Sequence, residues 1–121
     1  YGLCVLFGMD KAVAISTIPK SVTTPIAMSV SQELGGITSI TVAVVIATGI
    51  MGSILAPTLT RIFRVKSPIA AGVAIGTCSH AVGTTKALEI SELEGAMSGI
   101  AIGVAGLITM IIALVYHSIV G

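Results

Sequence analysis

A lysine set between short apolar runs is the first place where residue types in this sequence suggest chemistry. Lys20 lies in the polar stretch Pro19-Lys20-Ser21-Val22-Thr23-Thr24, which halts an apolar helix expected over Ala12 to Ile18. A cation at membrane depth is costly and usually functional, so it calls for an anionic partner. Thr24 followed by Pro25 reads as an N-cap with proline at the first helical position, opening a second short helix that runs to Leu34 and ends at Gly35-Gly36. The amides at that helix start carry the positive end of a helix dipole and suit a carboxylate or phosphate. Ser21, Thr23 and Thr24 add hydroxyls that can orient it. The purely structural reading of the same residues is a lysine that snorkels from a break at the membrane surface.

A second polar break, Ser79-His80-Ala81-Val82-Gly83-Thr84-Thr85, separates a short apolar helix, opened by Ser67-Pro68 and running from Ile69 to Cys78, from another expected over Lys86 to Glu94. Ten residues of helix reach only about 15 Å, half a bilayer. Ser79, His80, Thr84 and Thr85 are the candidate ligands here. Lys86 falls in the expected first helical turn, where it opposes the dipole unless an anion arrives. His80 titrates in a range that suits proton coupling; the plainer reading is a packing histidine. Glu89, Glu92 and Glu94 could bind protons or cations, but Ser91-Glu92-Leu93-Glu94 reads better as a capping box before the last helix. Asp10-Lys11 reads as a surface turn and His117 as an interfacial residue. The sequence has no catalytic triad, nucleophile motif, phosphate loop or metal-ligand cluster, so an enzyme, a cofactor and a metal are not expected.

The elements that must hold these breaks belong in lipid. Of 121 residues, 55% are hydrophobic and 9% charged, against roughly a quarter charged in a soluble domain, and the mean hydropathy is +1.10. With four aromatic residues and 14 glycines, the apolar mass is small and aliphatic, which suits close helix packing in a membrane. A net charge of +1 gives no field for nucleic acid. Cys4 and Cys78 form no CxxC motif and read as buried structural cysteines. The sequence opens at Tyr1 without a basic n-region, cleavage site or lipidation motif, so no targeting segment is expected and the chain reads as a fragment.

Two uncharged runs are long enough to cross a bilayer, which takes roughly 20 helical residues. Ile37 to Thr60 is closed by Arg61, Arg64 and Lys66, and Gly95 to Gly121 contains only His117 as an ionisable group. The first is rich in β-branched residues, yet a lone strand in lipid leaves its backbone unsatisfied, so helix is expected. Pro57 is expected to kink its end. Gly95, Gly99 and Gly103, with Gly106 close to the same face, form a stripe for close helix approach, and Gly49 and Gly52 a smaller one. Tyr1 to Phe7 reads as the tail of another helix.

Shifting the chain by 60 residues places Val22 on Val82, Thr24 on Thr84, Ala27 on Ala87, Ser31 on Ser91, Gly35 on Gly95, Ile40 on Ile100 and Val44 on Val104. Lys20 falls on His80. The repeated order of half-helix, break, half-helix and span is the sequence signature of a transporter site. The reading is therefore an all-α integral membrane protein with two spanning helices and two broken or re-entrant segments. It forms a single membrane domain over 1–121, with repeat 1 over about 9–60 and repeat 2 over about 67–121. Spanning breaks make the repeats parallel and re-entrant hairpins make them inverted; hairpins are the favoured arrangement. Arg61, Arg64 and Lys66 place their loop in the cytoplasm.

The stretches Pro19-Lys20-Ser21-Val22-Thr23-Thr24-Pro25-Ile26-Ala27, Glu33-Leu34-Gly35-Gly36-Ile37, Gly76-Thr77-Cys78-Ser79-His80-Ala81-Val82-Gly83-Thr84 and Glu94-Gly95-Ala96-Met97-Ser98-Gly99 closely resemble the LrgB/CidB membrane family. Ser29 and Thr85 depart from the residues expected there. Family members are about twice this length, so the resemblance implies a C-terminal half. It also implies a bacterial inner-membrane location and one of two functions. One is antiholin-like or holin-like control of murein hydrolases and lysis beside a small LrgA/CidA partner. The other is transport of small carboxylates such as glycolate, glycerate or pyruvate, as in the similar plastidial transporter of plants. The residues favour a small-monocarboxylate carrier, as a monomer or homo-oligomer, with Lys20, Ser21, Thr23, Thr24, Ser79, His80, Thr84 and Thr85 lining its site. A purely structural subunit is the third reading.

Overall fold

In a bilayer each backbone N–H and C=O must be bonded within the chain, and helices achieve this segment by segment. In the computed structural model, which describes residues 2–120 without the side chains of His117 and Val120, the chain forms six helices: α1 (Gly2–Leu6), α2 (Lys11–Ser16), α3 (Thr24–Glu33), α4 (Thr38–Ile62), α5 (Pro68–Ile90) and α6 (Glu92–Val120). The two expected spans are α4 and α6. Each contains a 25-residue stretch apolar enough to cross a bilayer, about 37 Å of helix. Large apolar side chains such as Ile54, Leu107, Ile111 and Leu114 are exposed along them, forming a surface suited to lipid rather than water. α4 continues through Pro57, and Thr60 Oγ1 donates to the Ala56 and Pro57 carbonyls.

Three helices close in the same way. After α1, α3 and α4 a residue with positive φ (Gly8, 69°; Gly35, 77°; Arg64, 50°) turns the chain back. The following amides bond to carbonyls five residues earlier, at Cys4, Ser31 and Thr60. Gly35-Gly36 therefore ends α3 as the sequence indicates. Asp10, expected in a plain turn, caps α2 by accepting from the Ala12 N–H at 2.8 Å. Neither cysteine is buried: Cys4 is half-buried on the short α1, within 3.7 Å of Thr17 Oγ1, and Cys78 is exposed on α5.

The contacts fall into two compact units. One comprises the residues up to Ile46 and those from Gly106 onward, and the other is Ala47–Ala105. In the first, Val22, Ala27 and Val45 form an apolar core with Ile26 against it, and a Cβ at Gly106 would crowd Ile26. Beside that core lies a buried hydroxyl cluster. Ser16 Oγ donates to the Ala12 carbonyl (2.6 Å) and accepts from the Ile37 N–H (2.7 Å). Thr41 Oγ1 lies 2.9 Å from the Ser16 carbonyl oxygen and 2.7 Å from Ser31 Oγ. Gly36 seats the cluster, since a Cβ there would overlap the Ser31 hydroxyl. These bonds tie the end of α2 to α3 and the start of α4.

In the second unit Ala56, Ile75 and Ala87 form the apolar core. Helix backbones come close at its glycines: a Cβ at Gly72 or Gly76 would run into the α6 backbone at Glu94 or Ser98, and one at Gly52 would overlap Ser79. Gly95 packs on Leu88, whereas Gly99 and Gly103 have nothing within 4 Å of where a side chain would begin. The glycine stripe of α6 is thus used only in part within the described residues.

Candidate functional site

Proline 25 ends up one position later than the sequence suggests. Thr23 is the N-cap of α3, in extended conformation and with no side-chain cap bond, so Thr24 is the first helical residue and Pro25 the second. Before it the chain turns through residues 17–22. Pro19 and Val22 are buried and anchor this break to the first unit, while Lys20 and Ser21 are exposed. Lys20 Nζ donates to Ser21 Oγ at 3.1 Å. Thr23 and Thr24 are half-buried. The first break thus presents a cation and a hydroxyl side by side at the start of a ten-residue helix.

The second break is much shorter than the seven residues the sequence suggests. α5 opens on Ser67, which accepts from the Ala70 N–H, and runs on to Ile90; its interior non-helical residue is His80 (φ 47°, ψ −137°). Residues 81 to 85 are helical, so Lys86 lies in the second turn after the kink and not the first. The threonines account for this: Thr84 Oγ1 donates to the His80 carbonyl (3.0 Å) and Thr85 Oγ1 to the Ala81 carbonyl (3.3 Å). Such back-bonding lets hydroxyl residues sit inside a helix. The expected helix over Lys86 to Glu94 is divided at Ser91, whose hydroxyl accepts from the Glu94 N–H at 3.1 Å and caps α6. Ser91's own N–H bonds the Ala87 carbonyl, so only half of the capping box forms.

At the kink, Ser79 and His80 are 1% and 4% exposed. A non-glycine residue at this φ and ψ costs on the order of 1–3 kcal/mol and persists only where its surroundings enforce it. Gly49 and Gly52 let the α4 backbone lie directly against the kink. A Cβ at Gly49 would stand 3.3 Å from the Ser79 carbonyl oxygen and 3.5 Å from His80 Nδ1. The glycine pair, legible only as a packing motif, is the seat of the kink. Ser79 Oγ is buried without a hydrogen-bond partner, and an orphaned buried hydroxyl costs about 1–3 kcal/mol. Thr84 Oγ1 also bonds Ser98 Oγ at 2.7 Å, joining the kink to α6. Ser98 is fully buried; sequence reading missed its role, although it stands in a motif next to Gly99.

Of the eight candidate residues, Lys20 and Ser21 bond directly, and His80 and Thr84 bond through the His80 carbonyl, with Ser79 adjacent. Residues 20–24 belong to the first unit and 79–85 to the second. Beside the kink, Ser53, Ala81, Val82, Thr85, Lys86 and Glu89 line an open concavity of about 470 Å³. Lys86 Nζ and Glu89 Oε2 pair there at 2.6 Å. Among the described residues no three His, Cys, Asp or Glu side chains are grouped to hold a metal ion. His117 lies in α6, and its side chain is outside the described residues.

Among the described residues the chain is all-helical, with two helices long and apolar enough to cross a membrane and a third kinked at a buried histidine. The LrgB-like family model matches residues 1–119, and the chain belongs to that family. It is 37% identical over 121 residues to the antiholin-like protein LrgB of Bacillus mycoides, covering 100% of this chain and 53% of that protein. With the protein of the same name from Bacillus cereus strain B4264 the identity is 39% over 114 residues (94% and 50%). With YxaC of Bacillus subtilis it is 44% over 94 residues (78% and 41%). The chain thus spans about half the length of the curated relatives it matches. No solved structure matches it.

Proposed function

We propose that this chain is part of a carrier of small monocarboxylates of the pyruvate, glycolate or glycerate type in a bacterial inner membrane, working without catalysis or cofactor. The observation that carries the reading is the kink of α5. A buried histidine in strained backbone beside a buried, unpartnered hydroxyl is a costly arrangement for a helix that serves only to pack. A carrier uses such breaks to bring helix ends and polar groups to a charged solute. Each break offers its own polar residues to the solute: Lys20, Ser21, Thr23 and Thr24 in the first unit, and Ser79, His80, Thr84 and Thr85 in the second. Alternating exposure of the site moves the solute.

The second reading rests on the relatives' names. An antiholin-like protein acting with an LrgA/CidA-like partner would regulate murein hydrolases and lysis, and on the carrier reading such effects follow from metabolite flux. Uptake of labelled pyruvate and glycolate into proteoliposomes of the full-length protein separates the two. The carrier reading expects saturable uptake, lost in Lys20→Ala with membrane insertion intact. Absence of uptake of either acid, beside a retained effect on lysis, would establish the antiholin reading instead.

A further inference from the structure

We propose that the concavity beside the α5 kink is where the carried carboxylate is recognised, with Lys86 exchanging the Glu89 carboxylate for that of the solute. The inference rests on the carrier reading and assigns the charge-recognising residue of its second unit. The walls divide by chemistry: Ala81 and Val82 are apolar, while Ser53, Thr85, Lys86 and Glu89 bring polar atoms to an open space of about 470 Å³. The two hydroxyls already donate their protons, Ser53 to the Ile50 carbonyl at 2.8 Å and Thr85 to the Ala81 carbonyl at 3.3 Å. Either hydroxyl reaches an anion only by giving up that bond. Lys86 remains as the wall's donor toward a carboxylate, and its ammonium has three N–H groups.

Glu89 occupies the position of a solute carboxylate. Its Oε2 lies 2.6 Å from Lys86 Nζ, three residues along the same helix, and both side chains, which line the concavity, are exposed (43% and 60%). A pair exposed to this degree is weak, so an arriving carboxylate can displace it. The internal acid keeps the lysine oriented when no solute is bound and competes with the solute when one is.

Competition predicts opposite effects from the two partners. In proteoliposomes of the full-length protein, with labelled pyruvate and glycolate as probes, Lys86→Gln raises KM about tenfold, the scale of one charged hydrogen bond. Glu89→Gln removes the competitor and lowers KM about two- to fivefold, and Lys86→Arg keeps KM within about twofold. Saturable wild-type uptake with KM unchanged in both Gln variants, or raised in both, overturns this inference and leaves the carrier reading standing. Absence of wild-type uptake overturns the carrier reading itself and this assignment with it.

Discussion

Ser16, Ser31 and Thr41 in the first unit and Ser79 in the second are all buried hydroxyls at or near helix ends, yet only the first three are bonded. In the first unit the polar groups inside tie three helices together, and the break itself leaves Lys20 and Ser21 at the surface. In the second unit the break is drawn into the helix: His80 is buried in strained backbone, Thr84 and Thr85 bond back along the helix, and Ser79 is left over. The difference separates polar residues that build the fold from those held in it at a cost. By that criterion the second break carries the greater structural cost, even though Lys20 is the more conspicuous residue in the sequence.

The contrast can be broken most forcefully at the glycines. Gly76→Ala drives a Cβ into the Ser98 backbone, so thermal unfolding in detergent should show a loss of about 1–3 kcal/mol or more. Gly99→Ala on α6 meets nothing within 4 Å and should be neutral or gain up to about 1 kcal/mol from helix propensity. Equal losses in the two variants would mean that the close α5–α6 approach does not form. Thr41→Val then probes the first unit's hydroxyl cluster. It preserves shape but leaves the Ser31 hydroxyl without this partner, for an expected loss of about 1–3 kcal/mol in the same assay. An unchanged melting temperature would show that the cluster is not load sharing.

Much of this fold is legible from residue types. The spans read as Ile37 to Thr60 and from Gly95 are α4 and α6, displaced by one to three residues at the ends that can be compared, because an uncharged run closed by Arg61 or opened by a cap is a local signal. The end of α3 at Gly35-Gly36 and the start of α5 at Ser67-Pro68 are local in the same sense. The second break is shorter than its residue types suggest because serine and threonine are ambiguous: the same hydroxyl that can face a ligand can bond the carbonyl four residues earlier. The Ser16–Thr41–Ser31 cluster could not be read, since its bonds join residues 10 and 25 apart and depend on how α2, α3 and α4 pack. Of the candidate site, the residue identities at both breaks were legible; the strain at His80 and the Gly49 and Gly52 seat emerge only when α4 lies against α5.

The central claim is that the α5 kink is maintained for function at the expense of stability, and Ser79→Ala tests it when unfolding and uptake are measured on the same preparation. Removing an unpartnered buried hydroxyl should leave the melting temperature equal or higher, with a gain of up to about 1–3 kcal/mol, while saturable carboxylate uptake falls sharply. A lowered melting temperature together with unchanged uptake would contradict the account and make Ser79 a packing residue.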